Sequence, residues 1–163
     1  MSILITGANG FIGKTLSLLL KERGYNVYPT NRRSLDVSDS NAVSAFFDKY
    51  RIIDTVIHCA IVGGKRTDSE EYNNFILNTR MFNNLYKHHD RFKLMISFGS
   101  GAEFNRENNI HRFEERKVLD DCPLDYYGGA KNQIAREIIK HNGNIFNFRL
   151  FGCFGKFEKK DRF

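Results

Sequence analysis

Ile3-Leu4-Ile5-Thr6-Gly7-Ala8-Asn9-Gly10-Phe11-Ile12-Gly13 opens the chain with a pattern from which its architecture can be read. An apolar, β-branched run stops at three glycines spaced three apart, and the apolar period then lengthens to Leu16, Leu19 and Leu20. That change of period predicts a strand, a tight turn and a helix. Glycines let the backbone turn sharply and approach a ligand, while the helix behind them offers unpaired N–H groups and the positive end of its dipole. The stretch therefore predicts a pyrophosphate site. The same glycines would also serve a plain strand-to-helix turn, and the rest of the chain must decide between the two.

Outward from this stretch, strands and helices alternate. Asn26–Thr30 reads as a second strand, with Gly24 stopping the helix before it. Ala42, Val43, Phe46 and Phe47 fall at helical spacing, with Ser38 or Ser40 available as the cap. Asp54–Ala60 is apolar enough to be buried on both faces, as parallel strands flanked by helices are. A helix with a broad apolar face is expected over 69–88, a fourth strand from Phe92 to Phe98, a helix from Tyr127 through Ile139, and a last strand from Asn144 to Leu150. The pattern predicts an α/β fold with a doubly wound, mostly parallel sheet and helices on both faces.

At 163 residues the chain suits one domain that buries about 70% of its unfolded surface. No apolar run approaches the roughly 20 residues of a membrane span, and the N-terminus enters a strand without a basic region or cleavage site, so a cytoplasmic protein with no membrane partner is expected. The three cysteines, Cys59, Cys122 and Cys153, have no metal-like spacing, and no metal site is expected. Cys59, in an apolar run, is expected to be a reduced, buried thiol. The net charge of +6 is spread among acids without an aromatic-basic recognition motif, which argues against nucleic acid and for small anionic ligands.

Several residue groups carry chemistry. The second strand ends in Asn31-Arg32-Arg33, with no acid at the place where one binds the ribose 2′-hydroxyl of NAD. Two arginines there suit the 2′-phosphate of NADP, so NADP(H) is favoured with NAD(H) possible; a solvated basic turn is the plainer alternative. Asp36 and Asp39 read equally well as turn residues. His58 reads as a satisfied histidine near a sheet edge rather than a catalyst. The fourth strand dissolves into Gly99-Ser100-Gly101, at the carboxyl end where open parallel sheets place ligands. Tyr127-Gly128-Gly129-Ala130-Lys131 then opens a helix, so that Tyr127 and Lys131 project from one face a turn apart. A nearby ammonium favours the phenolate of a tyrosine, and a serine hydroxyl can hold a substrate carbonyl, so Ser100, Tyr127 and Lys131 form a set suited to hydride transfer coupled to proton transfer. Tyr126 lacks a lysine four residues on and reads as packing, and the polar loop Asn105–Asp125 reads as solvated or as an edge of the substrate pocket.

The Gly-x-x-Gly-x-x-Gly spacing behind Thr6, the strand-end serine and the Tyr-x-x-x-Lys helix start together resemble the short-chain dehydrogenase/reductase superfamily, in its extended, nucleotide-sugar branch. The segment from Arg32 to Gly64, with Phe46-Phe47 and the Val62-Gly63-Gly64 turn, is most similar to the GDP-fucose synthase group. The resemblance implies a cofactor lying along Gly7, Asn9, Gly10, Phe11, Ile12 and Gly13, then Asn31, Arg32 and Arg33. Asp36 and Val37 would hold the adenine amino group, and Cys59, Ala60 and Ile61 would follow the cofactor from the third strand. Asn78 would hold the cofactor side of the site, Tyr127 and Lys131 would meet the nicotinamide end, and Phe151 would lie in the turn that meets its carboxamide.

It further implies catalysis by Ser100, Tyr127 and Lys131, a nucleotide-sugar substrate, and a homodimer through helices 69–88 and 127–141. The cofactor domain would span 1–155, with 156–163 the start of a truncated substrate region. Where the resembled group carries a cysteine for epimerisation this chain has Ala102, and no histidine follows His141, so reduction of a 4-keto-6-deoxy sugar nucleotide is the expected reaction. An NAD-dependent 4-epimerase or 4,6-dehydratase stays open, although Glu103 is offset from the dehydratase acid. A cofactor-binding module without turnover is the alternative of another class.

Overall fold

The computed structural model describes residues 1–63, 71–105 and 114–158. Gly64, positions 69 and 70 of the expected third helix, positions 106–113 of the long loop and positions 159–163 lie outside the described residues.

The elements run β1 (Ser2–Thr6), α1 (Phe11–Glu22), β2 (Asn26–Pro29), α2 (Ser40–Lys49), β3 (Thr55–His58), α3 (Tyr72–Tyr86), β4 (Leu94–Ser100), α4 (Tyr126–His141) and β5 (Ile145–Leu150). Between β4 and α4 lie two short 3₁₀ turns, Gly101–Glu103 and Glu115–Leu119. Strands and helices start and stop within a few residues of their expected positions, because terminal residues satisfy backbone groups through turns that a periodicity does not encode.

The sheet order is β2-β1-β3-β4-β5, with every pairing parallel. Right-handed crossovers then dictate where the helices go. The chain moves one way from β1 to β2 and the other way from β2 to β3, so α1 lies on one face and α2, α3 and α4 on the opposite one. The cores follow this division. Leu4, Val56, Met95 and Ile145 of the sheet pack with Val43 and Phe47 of α2, Phe82 and Leu85 of α3, and Ile134 and Ile138 of α4. Ile3, Ile5 and Ile57 point the other way, onto Leu16 and Leu20 of α1. The winding reverses between β1 and β3, which puts the natural crevice of the fold at the carboxyl ends of those two strands.

Local chemistry sets the helix ends. α1 closes in a Schellman arrangement, with Tyr25 N–H donating to Leu20 O at 3.1 Å and Gly24 N–H to Lys21 O at 3.0 Å, as the glycine suggests. The cap of α2 differs from both expected serines. Asp39 Oδ1 accepts from Asn41 N–H at 2.9 Å and Ala42 N–H at 3.4 Å, while the Ser38 hydroxyl is committed to Asp36 at 2.6 Å. No helix among the described residues is long and apolar enough to cross a membrane.

Candidate active site and cofactor crevice

At the reversal point two strand ends meet. Gly7 has φ +65°, and a Cβ on it would lie 2.6 Å from Ala60 N, so only glycine lets the turn after β1 touch the chain leaving β3. Thr6 and His58 tie the two together from beneath. Thr6 Oγ1 lies 2.8 Å from His58 Nδ1 and accepts the Ala60 N–H at 3.3 Å. Burial pushes His58 down to about 3, with the nearby Lys131 ammonium adding to the effect, so the imidazole is neutral at ordinary pH. His58 stands in a central strand, not at a sheet edge, and its work is to join β1 to β3.

The start of α1 carries no side-chain cap on Gly10. With glycine at that position no side chain caps the helix start, the arrangement that suits a phosphate. A cavity of about 330 Å³ opens here between the glycine turn, the loop through Asp36 and Val37, and the chain from Cys59 to Val62, with Leu77 and Met81 of α3 behind. That size suits the nucleoside part of a ligand rather than a whole dinucleotide. Gly7, Asn9, Gly10, Asn31, Arg32, Asp36, Val37, Cys59, Ala60 and Ile61 all border it. Phe11, Ile12 and Gly13 lie behind the turn at the head of α1; Gly13 packs against the Gly7 carbonyl.

Asn31 shapes the rim. Its Oδ1 accepts from Arg33 N–H at 2.9 Å and Ser34 N–H at 3.3 Å, a turn that leaves Arg32 and Arg33 exposed to solvent. Arg32 Nε reaches Asp36 Oδ2 at 3.4 Å. The Ser38 hydroxyl holds the Asp36 carboxyl below its usual range, with its backbone N–H and Arg32 acting the same way against burial. Asp36 is thus a turn residue that also faces the cavity. Cys59 is a free thiol, half-buried, pushed up to about 12 by burial, so it stays protonated.

Two buried asparagines on α3 hold the walls. Asn78 grips Val62 from both sides, accepting its N–H and donating to its carbonyl at 2.9 Å each. Asn84 Nδ2 donates to Val37 O at 3.0 Å. Sequence reasoning missed Asn84; its signal is an amide at a position of the helix that otherwise faces the core.

Opposite the crevice, Ser100 ends β4 and its Oγ accepts the Ala102 N–H at 3.2 Å. The Asp125 side chain caps α4 through the Gly128 N–H at 2.6 Å. A Cβ on Gly128 would lie 2.6 Å from Ala102 O, so the small residues between Tyr127 and Lys131 let the helix start press against the Ser100 turn. Lys131 Nζ donates to Phe98 O at 2.6 Å and lies 6.0 Å from the centre of the Tyr127 ring. Burial pushes Lys131 down to about 8, with the Glu103 carboxylate opposing. Tyr126 packs edge-on against Tyr72 at 5.7 Å. The Phe151 ring covers Gly101 beside Ser100. Among the described residues no group of three or more metal-ligating side chains converges.

Glu103 is the residue the sequence undervalued. It is fully buried and bonded to Arg149 Nε at 2.6 Å and Asn147 Nδ2 at 2.9 Å, while Asn132 of α4 holds its carbonyl at 2.8 Å.

Sheet order, the division of the helices between its two faces and the glycine turn define the class: a doubly wound, Rossmann-type α/β domain. The chain belongs to the NAD dependent epimerase/dehydratase family, whose model matches residues 3–163. It is 22% identical over 175 residues to the GDP-L-colitose synthase of Yersinia pseudotuberculosis, covering 99% of this chain and 56% of that protein. Among solved structures it is similar to a GDP-D-glycero-L-gluco-heptose synthase of Campylobacter jejuni determined in the presence of NADPH, with a TM-score of 0.83, 23% identity, and coverage of 94% of this chain and 48% of that one. A GDP-mannoheptose C4 reductase of Campylobacter jejuni with NADP bound gives a TM-score of 0.79 and 24% identity over 91% of this chain and 50% of that one. The chain therefore spans about half the length of the relatives it matches.

Proposed function

We propose that the chain is the cofactor-binding and catalytic part of an NADP(H)-dependent nucleotide-sugar oxidoreductase, reducing a 4-keto-6-deoxy sugar nucleotide. The observation that carries this reading is Lys131, its ammonium donating to the end of β4 at Phe98 and standing beside Tyr127, one turn from the Ser100 loop. Gly7, Gly10 and the uncapped head of α1 would hold the pyrophosphate, the 330 Å³ cavity the adenosine, and Arg32 and Arg33 the 2′-phosphate. The bound nicotinamide supplies the hydride. Ser100 Oγ, already accepting one N–H, turns its own proton toward the substrate carbonyl oxygen. Tyr127 gives that oxygen its phenolic proton as the carbonyl carbon is reduced, leaving an alcohol and a phenolate that Lys131 stabilises.

Glu103 is occupied by Arg149 and Asn147, which leaves it unfit as the acid of a dehydratase. Similar structures determined in the presence of NADPH and with NADP bound support the cofactor reading. A homodimer through α3 and α4 and a cytoplasmic place of work complete the proposal; sedimentation of the purified chain checks the first.

The deciding test is titration of NADPH against NADH, followed by cofactor fluorescence and thermal stabilisation. A tenfold preference for NADPH, ~1.4 kcal/mol, is expected. A preference for NADH would overturn the Arg32–Arg33 assignment and turn the reading toward an epimerase.

A further inference from the structure

A carboxylate with no accessible surface stands directly behind the proposed reaction centre, and the step from substrate to product does not use it. Glu103 Oε1 accepts the Ser100 N–H at 3.0 Å, and its carboxylate takes Asn147 Nδ2 at 2.9 and 3.1 Å and Arg149 Nε at 2.6 Å. Asn147 and Arg149 belong to β5, so one side chain ties the last residue of β4 to the next strand. In return, Ser100 Oγ accepts the Ala102 N–H at 3.2 Å, a reciprocal lock of side chain and backbone across the turn.

We propose that Glu103 is a positioning residue for this reaction, a buried carboxylate that fixes the direction of the Ser100 hydroxyl at the same strand end to which Lys131 bonds through Phe98 O. The proposal rests on the reductase reading for its chemical consequence. Three observations argue that the carboxylate is not there for stability alone. A buried ion pair is seldom more stable than apolar side chains of the same volume, so the fold by itself does not call for one at the tip of β4. The chain also makes room for it: a Cβ on Gly99 would collide with Glu103 Oε1 and lie 2.5 Å from Asn147 Oδ1. Finally, a strand end held only by its ladder frays, whereas hydride transfer needs the hydroxyl held in one place.

The charges around the group come from several elements. Lys131 of α4 is held toward its charged form by Glu103, while Cys59 at the end of β3, protonated at ordinary pH, brings no charge to it. His58 of β3 feels Lys131 in turn. Arg149 of β5 divides itself between Glu103 and the exposed Glu115, whose Oε1 lies 3.2 Å from Arg149 Nη1. Arg149 also rests on the Phe104 ring at 5.4 Å. Glu103 is thus the buried acid that the Arg149 guanidinium of β5 pairs with, close to where Lys131 meets the end of β4.

The test compares the unaltered chain with Glu103→Gln and Glu103→Asp. NADPH affinity should hold within about twofold, because neither substitution touches the crevice. With a GDP-linked 4-keto-6-deoxy sugar as probe, Glu103→Gln should lower kcat by roughly tenfold to a hundredfold with little change in KM. Its alkaline limb should also move to lower pH as Lys131 loses its counter-charge. Peptide-resolved labelling of Lys131 by acetic anhydride across pH reads that charge without turnover, and it should show the same downward move. If Glu103→Gln does not fold, Glu103→Asp keeps the charge and shortens the reach: its Lys131 labelling should match the unaltered chain while kcat falls. Unchanged kcat together with an unchanged Lys131 profile in Glu103→Gln, or full kcat in Glu103→Asp, overturns the proposal. If the unaltered chain does not reduce the probe, the reductase reading fails on its own and the labelling profile alone decides for or against Glu103.

Discussion

Tyr127 is the residue on which the proposed chemistry turns, and its neighbours say why. Lys131 stands at 6.0 Å from its ring and Ser100 ends the strand against which α4 begins. Tyr127→Phe keeps the ring and removes the only group asked to give a proton. Turnover should disappear while NADPH binding persists within about twofold, since removing a transition-state interaction leaves ground-state binding alone. Full activity in the phenylalanine variant would remove the mechanism. The Tyr-x-x-x-Lys spacing and the strand-end serine were legible in the sequence because helical periodicity alone puts i and i+4 on one face. Glu103 was not, because its meaning depends on Asn147 and Arg149, more than forty positions away.

At the scale of elements, α2 shows how a helix start is decided. Three candidates, Ser38, Asp39 and Ser40, stand in a row, and each is a good cap by residue type. The structure selects Asp39 because Ser38 already serves Asp36, whose own turn sets the cavity wall. Asp39→Ala should lower the unfolding free energy by about 1 kcal/mol, and Ser40→Ala by less than half as much. Urea unfolding of the two variants measures this, and equal losses would refute the assignment. The strands were the easier part of the sequence: β1 and β3 are apolar on both faces since helices cover both, and such runs announce themselves.

For the whole molecule, acid stability reports how the two halves of the sheet are joined. His58 is pushed down to about 3 in the fold against an ordinary value near 6.5. Between those values the unfolded chain binds a proton that the folded one refuses, so stability falls as pH drops below about 6.5 and is insensitive to this group above it. The slope should approach about 1.4 kcal/mol per pH unit below pH 6. His88, also lowered, acts in the same direction, whereas Asp36 and Asp54, held low, matter only near and below the usual carboxylate range. Comparing urea midpoints at pH 7 and pH 5.5 for the unaltered chain and His58→Gln isolates the buried ring. The variant should lose distinctly less; an equal loss would place the acid sensitivity elsewhere.

The alternation of strand and helix, the glycine turn, the Tyr127–Lys131 spacing and the adjacent Arg32 and Arg33 were legible in the chain alone. Each of these is a local or periodic signal, readable within a few residues. Packing brought the rest: Thr6 and His58 fasten β1 to β3 under the glycine turn, Asn78 and Asn84 hold the cavity walls, and Glu103 locks Ser100 to β5. Apart from the Ser100–Glu103 contact, three positions apart, those are bonds between residues distant in the chain. No spacing encodes them, because which buried polar groups meet is fixed by the order of the strands and the hand of the crossovers, and each must then find the partner that the packed interior leaves it.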